Sequence, residues 1–133
     1  MLFRHHTLSA IVLFFSLNLA STLTLQQIHR SWFQRLSVIP VEDVLNNRRI
    51  LNKYLGCLLR RTVCAPEARD FRILLPSILR EPCNNCTERQ RSSLKKIFEH
   101  VHTVHPGEWQ EIMSMYDPKS EHQEKIINFI SNS

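Results

Sequence analysis

Glycine is nearly missing, with 2 residues in 133. That scarcity excludes folds built on left-handed tight turns and on loops that cradle phosphate, and neither G-x-G-x-x-G nor a Walker loop can be written from this chain. No segment alternates apolar and polar residues over a strand's length, so nothing points to a sheet. The six prolines are dispersed and no internal repeat is visible, which excludes a low-complexity or proline-rich class. A nucleic-acid footprint is also lacking. The formal charge is +5, but apart from Arg48-Arg49 and Arg60-Arg61 the basic residues are scattered among acids. They are not interleaved with aromatics on one stripe, so nucleic acid is not an expected partner.

What is present starts at the N-terminus. Arg4 precedes the apolar run Leu8 to Ala20, and the small residues Ser21 and Thr22 follow. A basic start, an apolar stretch and small residues read as a secretory signal peptide over residues 1–22, cleaved somewhere between 20 and 24. The run is too short to span about 30 Å of hydrocarbon comfortably, and no later stretch is longer. Cleavage removes Arg4 and lowers the formal charge by one. The mature chain is expected to be secreted and extracellular, with an N-terminal lead-in (residues 23–40) and one helical domain (residues 41–131).

The four cysteines, Cys57, Cys64, Cys83 and Cys86, stand in the order C-x6-C-x18-C-x2-C. An even count in an exported chain of this size reads as two disulfides, with three connectivities open. A redox role for the C-x2-C pair is disfavoured because no βαβ pattern surrounds it and Pro82 precedes the pair. Zinc is disfavoured because thiols on the secretory route are oxidised and because His100 and His102 point to opposite sides of a helix. With the thiols committed, catalysis has no nucleophile beside a positioned base. Neither an enzyme, nor a metal, nor a cofactor is expected. Asn85-Cys86-Thr87 is formally a glycosylation sequon, of low expected occupancy because its middle residue is a bridging cysteine.

From Pro40 onward the periodicity is helical. Glu42-Asp43 open a short helix with Val41, Val44 and Leu45 inward. A second stripe carries Ile50, Leu51, Tyr54, Leu55 and Leu58. Pro66 suits the first position of a third helix, whose stripe is Phe71, Leu74, Leu75, Ile78 and Leu79. Pro76, inside that stripe, is expected to kink or shorten it. A fourth helix runs from about Cys86 to His102, a fifth carries Trp109, Ile112, Met113 and Tyr116, and a last one Ile126, Ile127, Phe129 and Ile130. The lead-in is only weakly periodic and is expected to be part helix, part extended. The fold class is all-α, a bundle of about six short helices. Periodicity alone leaves open a filled core or an apolar void able to take a guest.

These residues resemble the insect chemosensory proteins. The resemblance rests on Asn47-Arg48-Arg49-Ile50-Leu51-Asn52-Lys53-Tyr54, the four cysteine spacings, Pro66-Glu67, Leu75-Pro76, Gln90, Trp109 and Tyr116-Asp117-Pro118, and it covers roughly Val41 to Pro118. It implies a secreted helical bundle around an internal hydrophobic channel, with bridges Cys57–Cys64 and Cys83–Cys86. It also implies a non-catalytic carrier of small hydrophobic ligands: long-chain fatty acids, alcohols, pheromone-like molecules and odorants. The ligand-binding positions it implies are Tyr54, Phe71, Leu75, Leu79, Ile97, Trp109, Ile112 and Tyr116. A membrane receptor is a further candidate partner, and the chain is expected to be a monomer. The alternative is a secreted helical interaction protein that acts through its basic surface in development or defence. The chain departs from the family at Ser31-Trp32-Phe33-Gln34-Arg35-Leu36, at Thr62 and Ala68 where glycines are customary, and at His122 and Ile126 where late aromatics are. A left-handed backbone at Thr62 would be strained by about 1–2 kcal/mol.

Overall fold

The computed structural model describes residues 24–132, so the expected signal peptide at residues 1–22 lies outside the described part. Seven α-helices follow one another there: α1 (Thr24–Leu36), α2 (Val41–Asn46), α3 (Arg48–Leu58), α4 (Pro66–Arg80), α5 (Glu88–Val104), α6 (Pro106–Tyr116) and α7 (Gln123–Ser131). No strand occurs among the described residues. Most starts have a visible cause. The Asn47 side chain accepts from the Ile50 amide to open α3, and Pro66 and Pro106 occupy the first turns of α4 and α6, where a missing N–H costs nothing. Thr87 and Gln90 exchange hydrogen bonds of 3.1 and 3.0 Å in a reciprocal cap, so α5 begins at Glu88, two residues after Cys86.

Helices α4 and α5 form the spine. α1 and α7 pack on both, α3 packs on α4, α6 on α5, and α2 bridges α3 and α5. The stripe of α4 is the driest part of the protein: Leu74, Leu75, Ile78 and Leu79 are each 1% exposed. Burying a side chain of this size stabilises by about 1.5–3 kcal/mol. Four of them outweigh the roughly 3 kcal/mol that an internal proline costs. The helix accordingly continues through Pro76, which faces outward, to Arg80, and is not shortened there.

The lead-in also differs from expectation. It is a single helix up to Leu36, because Ile28, Trp32 and Leu36 recur every four residues and give it an apolar face. Trp32, Phe33 and Leu36 belong to the core, and the Gln90 amide ties α1 to α5 through the Phe33 carbonyl (3.0 Å) and Ser37 hydroxyl (3.1 Å). Ile50 and Ile127, expected inward, are instead exposed, one residue off the stripes that carry Leu51 and Ile126.

The bridges join Cys57 to Cys64 and Cys83 to Cys86. The first one staples the end of α3. There the Arg60 amide donates to the Cys57 carbonyl (3.1 Å) and the Arg61 amide to the Gly56 carbonyl (2.8 Å), the pattern that closes a helix with one left-handed residue. That residue is Arg60 (φ 59°), not Thr62, so the condition for strain at Thr62 is not met. Thr62 has a different part to play. It lies so close to Gly56 that a Cβ there would sit 2.6 Å from the Thr62 hydroxyl. Gly56→Ala should therefore lower stability by about 1–3 kcal/mol in chemical denaturation, and Thr62→Ala in the same chain should recover much of the loss.

Candidate functional site

The N-terminal half of the bundle is not filled. A cavity of about 90 Å³ lies between α1, α2, α3, α4 and α5. Trp32 and Leu36 of α1 and Val41, Val44 and Leu45 of α2 form one side, with Ile39 between them. Leu51, Tyr54, Leu55 and Leu58 of α3 face them, and Glu67 and Phe71 of α4 with Ile97 and Val101 of α5 close the ring. The indole of Trp32 stacks on Phe71 at 4.8 Å between centroids and 17° between planes, which fixes α1 against α4 at the cavity edge. A site this apolar favours an apolar guest over water.

Two lining side chains carry polar ends at their tips: the Tyr54 hydroxyl and the Glu67 carboxylate. Tyr54 is half-buried, and its hydroxyl makes no hydrogen bond among the described residues. Burial, and secondarily the negative charge of Glu67, push its pKa above the ordinary 10.0. Glu67 stands in the first turn of α4, where a negative charge suits the helix dipole. Its counterion is shared. Arg35 reaches Glu67 at 4.0 Å but Asp70 at 3.6 Å, and it also donates to the Ser31 hydroxyl at 2.9 Å.

Of the ligand-binding positions implied by the resemblance, Tyr54, Phe71 and Ile97 meet on the cavity wall. The others lie elsewhere. Leu75 and Leu79 are sealed in the filled half of the bundle, and Ile112 is buried off the wall. Trp109 packs edge-on against Phe98 (6.1 Å) and His102 (5.2 Å), at the junction of α5 and α6. The Tyr116 hydroxyl donates to the Leu58 carbonyl at 2.5 Å, tying the end of α6 to the end of α3. Next to it the buried Asp117 carboxylate accepts from the amides of Glu121 and His122, both at 3.0 Å, and so organises the turn into α7. Tyr-Asp-Pro is thus a structural corner. Trp32, a principal wall residue, is absent from the implied set, although its spacing with Ile28 and Leu36 was visible in the sequence.

Comparison with known proteins is consistent across sequence and structure. The pattern of the insect pheromone-binding family, A10/OS-D, matches residues 32–124. Allergen Tha p 1 of Thaumetopoea pityocampa is 32% identical over 95 residues, which are 71% of this chain and 75% of that protein. Ejaculatory bulb-specific protein 3 of Drosophila melanogaster is 32% identical over 80 residues, 60% of this chain and 64% of that one. Among solved structures, a chemosensory protein in complex with bromo-dodecanol superposes with a TM-score of 0.61 at 25% identity, covering 74% of this chain and 96% of the other. The antennal chemosensory protein A6 of the moth Mamestra brassicae gives 0.57 at 26% identity, covering 71% and 87%. The chain belongs to the insect pheromone-binding A10/OS-D family, the chemosensory proteins, and is a divergent member of it. The family is one of binding proteins, not enzymes.

The raised pKa of Tyr54 has a consequence for stability. The fold favours the neutral hydroxyl, so this contribution is present below the unfolded value near 10 and is lost as pH rises through the higher folded value. Wild-type protein should lose more stability between about pH 8 and about pH 11 than Tyr54→Phe does in parallel denaturation curves. Equal losses would show that Tyr54 titrates as a free phenol.

Proposed function

We propose that this protein is a secreted, non-catalytic carrier that holds one long-chain hydrophobic molecule in the cavity between α1 and α5. The observation that carries this reading is an apolar void walled by five helices in a protein whose other half is packed dry. Membership of a pheromone-binding family and the alcohol bound by a related chemosensory protein support it. No helix among the described residues is long and apolar enough to cross a membrane.

At about 90 Å³ the cavity is smaller than an engineered apolar cavity of about 150 Å³ that accepts benzene. A longer tail needs room, and α2 is the wall best able to give it. It has six residues, no side-chain cap and one buried residue, Val41, and an isolated helix of that length is not stable. Its polar tie to α5 is an exposed ion pair, Glu42 with Lys96 at 2.8 Å, in which the ammonium holds the carboxyl below its usual range. Exposed pairs of this kind hold weakly. Outward movement of α2 lengthens the cavity without disturbing the stripe of α4. Each buried methylene then contributes about 0.8 kcal/mol, so affinity rises with chain length until the tail fills the opened space.

The test is a titration of the oxidised mature chain with a fluorescent fatty-chain probe, followed by displacement with alkyl compounds of increasing length. Saturable one-site binding that tightens with length is expected. A folded, helical protein that takes up no probe would overturn the carrier reading and bring forward the basic-surface alternative. The two tryptophans locate the guest. Ligand should change Trp32 emission, so Trp32→Phe should abolish the response and Trp109→Phe should leave most of it.

A further inference from the structure

We propose that Glu67 and Tyr54 make this site selective for the head group: it takes neutral, hydrogen-bond-donating long-chain molecules such as primary alcohols and turns away fatty-acid anions. The proposal rests on the carrier reading and narrows it, because carboxylates are among the ligands the family resemblance implies.

The two polar tips come from helices that pack on each other, α3 and α4, and both line the same cavity. Both residues are only partly buried, so they stand where the cavity approaches solvent. The other partly exposed lining residues, Ile39, Val44, Leu45 and Ile97, are all aliphatic. A guest with one polar end therefore has one polar place to put it. Its tail runs toward α2 and α5.

The charge at that place is negative. Glu67 and Asp70 share the one guanidinium of Arg35, which also gives a hydrogen bond to Ser31. Among the described residues Arg35 is the one cation within 4.0 Å of either carboxylate, so Glu67 has only a shared counterion. An alcohol fits the pair in both directions: its hydroxyl donates to the Glu67 carboxylate and accepts from the Tyr54 hydroxyl, which lacks a partner among the described residues. A carboxylate has no proton to give, and it brings a like charge beside a partly desolvated one. The Glu67 side chain is 45% exposed, so salt screens part of this repulsion and the preference should narrow as ionic strength rises.

The experiment compares displacement of a neutral fluorescent probe by dodecanol and by dodecanoate at pH 7, for wild type and for Glu67→Gln, with helicity checked by circular dichroism. Wild type should prefer dodecanol by about tenfold or more. Glu67→Gln should bring the two within a few fold of each other, mainly by tightening dodecanoate, because the amide removes the like charge and offers a donor. Tyr54→Phe should weaken dodecanol more than it weakens 1-chlorododecane, which has no oxygen to accept from the phenol. Equal affinity of the two ligands for wild type overturns the proposal, as does a preference that survives Glu67→Gln. Failure of the probe itself to bind would instead refute the carrier reading.

Discussion

Burial of one face of α4 decides where the rest of the chain can go. Its last two turns place Leu74, Leu75, Ile78 and Leu79 in full contact with neighbouring helices, and that contact is strong enough to carry the helix through Pro76. Its first two turns present Phe71 and Glu67 instead, and there the neighbours do not close. A single helix thus has a filled half, which supplies stability, and an open half, which supplies the cavity. The disulfides act on corners: Cys57–Cys64 holds the tight exit from α3, and Cys83–Cys86 holds the entry to α5. Both also touch the interior: Cys57 is fully buried, and Cys83 and Cys86 pack against the core.

Much of this was legible in the sequence, for stated physical reasons. Helical periodicity from Val41 onward marked every later helix, and Pro66 marked a start because a first-turn proline loses no hydrogen bond. The family resemblance implied the bridges. The readings that strayed did so where a local rule was outweighed by packing. Pro76 was expected to kink or shorten α4, and four buried aliphatics carry the helix on to Arg80. The first helix was legible in the spacing of Ile28, Trp32 and Leu36 but was read only as a weakly periodic lead-in, so a principal cavity wall went unseen. The left-handed residue is Arg60, so the condition for strain at Thr62 is not met; its position depends on where α3 ends, and composition does not fix that. The wall itself was only partly legible. Inward-facing and cavity-facing look the same in a hydrophobic stripe, which is why Leu79 and Tyr54 could not be told apart from sequence.

The departures from the family pattern acquire meaning in this light. Ile126, where an aromatic is customary, is fully buried against the spine, and His122 opens α7 beside the Asp117 corner. Neither borders the cavity. The unusual Ser31-Trp32-Phe33-Gln34-Arg35-Leu36 segment does border it: Trp32 and Leu36 form its side, and Arg35 sets the charge balance around Glu67. Divergence in this chain therefore bears on the guest mostly through α1. The apolar wall sets how much of a chain can be buried, and the polar edge sets which end group is tolerated. The first favours longer tails by about 0.8 kcal/mol per methylene that the opened space can bury, and the second acts on the end group whatever the tail.

The claim on which the rest turns is the location of the guest. It is tested most directly by isotope-filtered nuclear Overhauser spectroscopy on protein with labelled methyl groups, mixed with unlabelled dodecanol. Cross-peaks from the alkyl chain to Leu36, Val44, Leu51, Leu55 and Ile97 are expected, with silence at Leu75, Leu79 and Ile112. Contacts confined to the latter three, or to surface methyls such as Val63, would contradict a binding site between α1 and α5.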